Sequence, residues 1–419
     1  VRPPARLIFF QAKGYNFTVI KKLRVKNYKS LADVNLELPR LAILIGPNNS
    51  GKSNLLDVLR VLKHMARGGG DISESSEYGE DAIDVFKRTN AILGRDCVWS
   101  NAGEESVDIV VDSGFGDVTV SYDLGLRPLS LHQSLYPLRE ALEIKENEDL
   151  KILIKRHNWD VHLVFPSGAG APMTEDSIAH MSSLAWSMLR TEYWEEDKRV
   201  KRDYLETIKL FKRDLRETLI LFIDPDSARQ PRVVSEKPEI GESGIGLVVL
   251  LDHLLATDRK TFDEMVKSLS DSIKEIEDIK LLPGGSGTKM VGLKEIGLRE
   301  PIPATHLSDG LMRLLVFYAL AYSPVSPRII AIEEPEDGIN PRLLGVLLEL
   351  FRDMTSSGKH QIIITTHSKL LMDMARKEEI ITVQKRNGAS QFVPLAEHPH
   401  IDEFLEDLTI GSLHYSGEI

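Results

Sequence analysis

Residues Gly46-Pro47-Asn48-Asn49-Ser50-Gly51-Lys52-Ser53 match the pattern G-x-x-x-x-G-K-[ST], a spacing suited to holding a chain of phosphates. The glycines let the backbone wrap N–H groups around phosphate oxygens, and the positive end of a following helix adds to the pull. Lys52 would neutralise the β and γ phosphates, and the Ser53 hydroxyl would ligate Mg2+. Gly46, Asn48, Asn49, Ser50, Gly51 and Asn54 would complete the cradle.

A second group lies far downstream, where Arg328-Ile329-Ile330-Ala331-Ile332 ends in Glu333-Glu334-Pro335-Glu336. Two adjacent acids at the end of a strand are costly to bury unless a cation or a proton attends them. Beside a phosphate loop, Glu333 would hold Mg2+ through water, and Glu334 would orient or deprotonate the attacking water. The alternative is a solvated acidic turn, because Glu336 and Asp337 continue the run. His367 follows the apolar stretch Gln361-Ile362-Ile363-Ile364-Thr365-Thr366, where it could donate to a γ-phosphate oxygen or serve only structure. Leu307-Ser308-Asp309-Gly310 opens a helical pattern with Ser308 or Asp309 as N-cap. Its hydroxyl and free N–H groups could meet another anion.

These residues need particular elements to position them. Leu41-Ala42-Ile43-Leu44-Ile45 is a continuous apolar run, consistent with a buried strand feeding the phosphate loop. After the loop, Leu55, Leu56, Val58, Leu59, Val61 and Leu62 keep a helical rhythm that stops before Gly68-Gly69-Gly70. Strand, loop and helix are in register, so a chance glycine-rich turn explains less. Residues 19–38 read as two strands joined at Asn27-Tyr28-Lys29-Ser30. From Asp71 to about Glu105 the chain is polar and irregular; residues 107–111, 118–124, 152–154 and 161–165 then read as strands of a smaller sheet. Residues 174–221 read as mostly helical, with Tyr193, Val200, Tyr204, Ile208, Phe211 and Leu215 forming one apolar stripe. Residues 245–272 form a second helical region, and Pro283-Gly284-Gly285-Ser286-Gly287 turns between short strands.

Composition narrows the function classes. With 52 Lys and Arg against 63 Asp and Glu the net charge is −11, which disfavours wholesale adhesion to nucleic acid but leaves room for a local basic patch. Lys198, Arg199, Lys201, Arg202, Lys209, Lys212, Arg213 and Arg216 are such a concentration; the interleaved Asp197, Asp203, Glu206, Asp214 and Glu217 equally suit a salt-bridged, solvated helix. The single cysteine, Cys97, has no partner for an intrachain disulfide, and no Cys and His cluster has zinc spacing, which points to a reducing, cytoplasmic setting. No apolar run reaches the roughly 18 to 20 residues that span a bilayer.

Taken in order, Gly46 to Ser53, Leu307 to Gly310, Glu333 to Glu336, Asp337-Gly338-Ile339 and Thr366-His367-Ser368 resemble the Walker A, signature, Walker B, D-loop and switch histidine of an ABC-type ATPase, nearest the RecF, SMC and OLD-like branch. The opening Asn27-Tyr28-Lys29-Ser30-Leu31 and the phrase Glu333-Glu334-Pro335-Glu336-Asp337-Gly338-Ile339-Asn340-Pro341 are similar to the same proteins. The resemblance implies an α/β P-loop NTPase of ABC-type head architecture, a mixed sheet with helices, carrying a helical insertion. Residues 1–170 and 221–419 would build the head and 171–220 the insertion. It implies ATP and Mg2+ as cofactors, Asp337 among the nucleotide-binding residues, and a homodimer closed by ATP in which Ser308 and Gly310 of one chain contact the γ-phosphate bound by Lys52 and Ser53 of the other.

Three departures stand out. Glu333 occupies a position where Asp is commoner, no clear Q-loop glutamine precedes the Val107 strand (Gln133 is a poor candidate), and no long coiled coil separates Walker A from the signature. Residues 368–419 are too few for the TOPRIM nuclease domain of OLD-like proteins, so a nuclease, HNH or TOPRIM, would be a separate subunit. The expected function is an ATPase of DNA repair or anti-phage defence, with DNA as a further partner. The alternative is a slow, nucleotide-gated scaffold that holds or activates a separate nuclease.

Overall fold

A computed structural model describes residues 17–67, 98–99, 106–128, 135–157, 160–165, 174–180, 202–234 and 238–419. Gln133, Lys198, Arg199, Lys201 and most of 71–105 lie outside the described residues. The strands are β1 (Phe17–Tyr28), β2 (Leu31–Glu37), β3 (Leu41–Ile45), β4 (Val107–Phe115), β5 (Val118–Pro128), β6 (Leu135–Glu146), β7 (Asp149–His157), β8 (Asp160–Phe165), β9 (Thr174–His180), β10 (Leu219–Leu221), β11 (Ile276–Gly285), β12 (Thr288–Glu295), β13 (Ile302–Pro303), β14 (Ile329–Glu333), β15 (Gln361–Thr366), β16 (Ile380–Arg386) and β17 (Ala389–Pro394). The helices are α1 (Lys52–Arg67), α2 (Arg202–Arg216), α3 (Pro225–Arg229), α4 (Leu247–Thr257), α5 (Arg259–Ser272), α6 (Asp309–Tyr322), α7 (Leu344–Ser356), α8 (Lys369–Met374), α9 (Ile401–Asp407) and α10 (Ile410–Ser416).

The six-stranded sheet runs β10-β14-β15-β3-β16-β17 and is parallel except where β17 returns beside β16. Its central strands carry continuous apolar runs, Leu41 to Ile45, Ile329 to Ile332 and Ile362 to Ile364, because both faces are covered. Alternate residues go to opposite cores: Ala42, Leu44, Ile329, Ala331 and Ile363 face one, and Ile43, Ile45, Ile330, Ile332, Ile362 and Ile364 face the other. The first core lies under α1, α2 and the eight-stranded sheet; the second contains the apolar faces of α4, α5, α6 and α7. Parallel strands aligned in this way bring β3, β14 and β15 to a common C-terminal edge, which is where open α/β sheets bind ligands.

The sheet expected to be the smaller one is the larger. It has eight strands, β2-β1-β4-β5-β6-β7-β8-β9, antiparallel throughout. Residues 174–180, expected to be helical, form β9 on its edge, and among the described residues the helix of that region is α2. Of the expected stripe, Tyr204, Ile208, Phe211 and Leu215 are buried in the first core while Tyr193 and Val200 lie outside the described residues, and the Phe211 ring meets Tyr122 edge-on at 6.4 Å. The second helical region is two helices, broken at Asp258, whose carboxylate caps the Thr261 N–H of α5. β11 and β12 turn through Ser286 and Gly287, both at positive φ.

Candidate active site

The phosphate loop, residues 46–51, joins β3 to α1, and its shape is set by close packing. A Cβ on Gly46 would stand 2.1 Å from the Val383 carbonyl oxygen, and one on Gly51, at φ +111, would stand 2.1 Å from Ser390 Oγ. Only glycine fits either place. Ser390 Oγ lies 2.6 Å from Ser30 Oγ and donates to the Ser50 carbonyl at 2.5 Å, while Asn54 Nδ2 donates to Ser30 Oγ at 2.7 Å. The loop is thus buttressed by the β1–β2 turn and by β17. Asn48, Asn49 and Ser53 are exposed, and α1 carries no acid in its first turn, so its N-terminal dipole is free to act on an anion.

Lys52 is 6 % exposed, and its Nζ donates to the carbonyls of Gly46 (2.7 Å) and Pro47 (3.0 Å). Burial lowers its pKa to about 8, with Glu334 opposing. Glu333 ends β14, and Glu334 follows at φ 45, a left-handed conformation uncommon for a non-glycine residue and typical of functional turns. The Glu334 N–H donates to the Thr365 carbonyl at 3.0 Å. His367 Nε2 stands 3.9 Å from Glu334 Oε1. Burial and the charge of Lys52 hold the imidazole below its usual pKa, against the pull of Glu334. Lys52, Glu334 and His367 therefore share one field at the end of the parallel strands.

Ser308 and Gly310 belong to the start of α6. Ser308 Oγ caps α6 by accepting from the Leu311 N–H at 3.3 Å and is exposed, as is Asp337. A Cβ on Gly310 would meet the Gly338 carbonyl oxygen at 2.1 Å, so the helix start and the 337–338 turn are in direct contact. Among the described residues no hydrogen bond or ion pair joins Ser308, Gly310 or Asp337 to Lys52.

Four residues of this region were not singled out from sequence. Arg60, from α1, lies 3.7 Å from Glu333 Oε1 and 2.7 Å from Asp57, which Lys29 also contacts at 2.5 Å. Burial pushes the Glu333 carboxyl up, and Arg60 opposes this. Arg229, from α3, donates to the Ala304 carbonyl (3.2 Å), the Leu307 carbonyl (2.9 Å) and Asp309 (2.5 Å), fastening the 307–310 segment. Glu336 and Tyr415 both bond the His367 backbone. An arginine in the helix after a phosphate loop and a third acid after Glu333-Glu334 were the visible signals; Arg229 and Tyr415 left none.

Residues 206–373 match the family model described as "AAA domain, putative AbiEii toxin, Type IV TA system", and residues 19–119 match the one described as "AAA ATPase domain". No curated protein matches the sequence. Among solved structures, the SMC head bound to the C-winged helix domain of ScpA is similar with a TM-score of 0.51 at 12% identity, over 89% of this chain and 96% of that one. The SMC head domain from Thermotoga maritima matches with a TM-score of 0.37 at 12% identity, over 90% of this chain and 98% of that one. The Smc head domain with an extended coiled coil bound to the C-terminal domain of ScpA, derived from Pyrococcus furiosus, matches with a TM-score of 0.44 at 13% identity, over 93% of this chain and 99% of that one. The chain thus matches ATPase family models over two segments and has the fold of an ABC-type, SMC-head-like P-loop ATPase.

Proposed function

We propose that this chain binds ATP with Mg2+ and hydrolyses it, and that two copies close around the nucleotide, in the manner of the RecF, SMC and OLD-like branch. The observation that carries the reading is the convergence of Lys52, Glu334 and His367, with 3.9 Å between the last two, at the C-terminal edge of β3, β14 and β15. The residues suit the cofactor. Ser50 Oγ is buried without a hydrogen-bond partner, the Lys52 ammonium rests on its own loop's carbonyls, and the acid-free N-terminus of α1 adds positive potential. Gly46, Asn48, Asn49, Ser50, Gly51 and Asn54 would line the phosphates. Mg2+ would be held by Ser53 and, through water, Glu333; such ions need only one or two protein oxygens beside phosphate.

In this reading Glu334 takes a proton from the attacking water and His367 donates to the γ-phosphate, while Lys52 offsets the charge that develops. Ser308, Gly310 and Asp337 would act on the partner copy's nucleotide; among the described residues none of them hydrogen-bonds its own Lys52. The test is the Glu334→Gln protein. It should bind ATP, lose hydrolysis by at least about a hundredfold, and shift in light scattering from one chain to two when MgATP is added. Hydrolysis at the parental rate would sink the base assignment, and an unchanged mass would sink closure by ATP.

A second reading is a slow scaffold that holds a separate nuclease, HNH or TOPRIM, in repair or defence. What favours it over a DNA-driven engine is the pairing on α2: Lys209 with Glu206, Arg213 with Asp214, and Arg216 with Glu217. Positive charge matched by neighbouring carboxylates releases few counterions on meeting DNA. The family description over 206–373 names a type IV TA system toxin, which leans toward defence. Turnover unaffected by DNA, with a second polypeptide co-purifying, would support the scaffold; strong stimulation by DNA would reject it. No helix among the described residues is long and apolar enough to cross a membrane.

A further inference from the structure

The peptide of His367 is held from both sides. On its N–H side, Glu336 Oε1 accepts three donors: Thr366 Oγ1 at 2.5 Å, the His367 N–H at 3.2 Å and the Ser368 N–H at 3.2 Å. On its carbonyl side, the Tyr415 hydroxyl of α10 donates to the His367 oxygen at 2.9 Å. α10 is itself tied to α8, because Asp373 Oδ1 accepts the Gly411 N–H at 2.7 Å and Lys369 Nζ reaches Ser412 Oγ at 3.0 Å. Glu336 sits on the turn that begins at Glu334 and ends at Gly338, the residue touching Gly310.

We infer that Glu336 and Tyr415 are positioning residues for His367: the pair fixes the histidine's backbone relative to Glu334, so that one short turn sets the base, the γ-phosphate donor and the α6 contact together. The inference rests on the ATPase reading for its kinetic consequence, and on hydrogen bonds alone for its structural one. Convergence on a single oxygen makes charge dispensable. A glutamine keeps Oε1 as acceptor, whereas an alanine leaves the Thr366 hydroxyl and the His367 N–H without that acceptor and leaves the Ser368 N–H only Thr366 Oγ1, at 2.9 Å. A small displacement of the histidine is enough to lower turnover without touching ATP affinity.

Two measurements on the full chain test this. Amide exchange followed by mass spectrometry should show His367 exchanging about tenfold faster in Glu336→Ala than in the parent, Ser368 faster by less because Thr366 Oγ1 still accepts its N–H, and Ile362 to Ile364 of β15 unchanged. Steady-state kinetics should show kcat down about tenfold at constant KM in Glu336→Ala, most of the rate restored in Glu336→Gln, and a smaller loss in Tyr415→Phe. Added to His367→Ala, neither change should cost anything further. Unaltered exchange at 367 and 368, or losses that add to His367→Ala, would overturn the inference. Should Glu336→Ala not fold, Thr366→Val and Tyr415→Phe carry the same comparisons. A parent protein with no hydrolysis at all would defeat the ATPase reading instead, and the exchange result would then judge the clamp by itself.

Discussion

The Lys52 ammonium shows what burial within the 46–51 loop costs a basic side chain. It is nearly enclosed, and burial lowers its pKa from 10.5 to about 8. A base whose folded pKa is depressed destabilises the fold wherever both states are protonated, so the penalty is complete below pH 8 and fades as pH rises toward 10.5. Lys52→Met should therefore unfold at higher urea than the parent at pH 7, by about 2 kcal/mol once the lost hydrogen bonds to Gly46 and Pro47 are counted. The gap should close by pH 10, while ATP binding is lost at both; a variant less stable than the parent at pH 7 would contradict this. His360 behaves likewise in acid. It is 1 % exposed, its Nδ1 lies 2.8 Å from the Pro327 carbonyl, and burial lowers its pKa to about 4. Between pH 6.5 and 4 the unfolded chain takes up a proton that the folded one refuses, so stability falls by about 3 kcal/mol across that window. Urea midpoints at pH 7 and 4 should differ by that much more in the parent than in His360→Gln.

At the scale of elements, the 307–310 segment depends on α3. Arg229 spans the Ala304 and Leu307 carbonyls and Asp309, and its side chain is 13 % exposed, which makes these bonds worth more than a surface pair. Arg229→Ala should free the start of α6 without reaching the phosphate loop. In a Glu334→Gln background, ATP affinity should be unchanged while the dimer's dissociation constant rises about tenfold, read by sedimentation over a dilution series. Equal dimer affinity would mean that the clamp has no bearing on closure. That dependence was invisible in the sequence because 75 to 80 residues separate Arg229 from its partners. The N-cap of α6 was legible, since Ser308 and Leu311 are three residues apart and follow ordinary capping rules.

For the whole molecule, the central sheet separates two cores, and α2 belongs to the first of them. Its Asp214 is 2 % exposed and is paired with Arg328 (3.4 Å), at the start of β14, and with Arg213 (3.2 Å). Burial pushes the Asp214 carboxyl up, and the two arginines resist. Asp214→Ala would leave two cations facing a gap at the seam between α2 and the sheet, and should cost about 2–3 kcal/mol, less than a fully buried pair because both arginines keep some water. Calorimetry checks the value. A cost below about 0.5 kcal/mol would show that the seam is held by the apolar stripe alone.

What the sequence determined by itself was local. The phosphate loop between an apolar strand and a helix spans contiguous residues, so its conformation follows from glycine placement, strand burial and helix initiation over a few bonds. The paired acids at a strand end, and the two-faced burial of β3, β14 and β15, are likewise written in unbroken apolar runs. Tertiary structure decided the rest. The stretch Thr174–His180 carries no hydrophobic period and becomes a strand because β8 offers it a ladder. β6 is studded with Arg139, Glu140, Glu143 and Lys145, and earns its place by pairing β5 and β7. Arg60 beside Glu333, Arg229 under the 307–310 segment, and Tyr415 against His367 are meetings across tens to hundreds of residues. No periodicity encodes them, because a hydrogen bond depends on where the folded backbone puts its two ends rather than on the residues between.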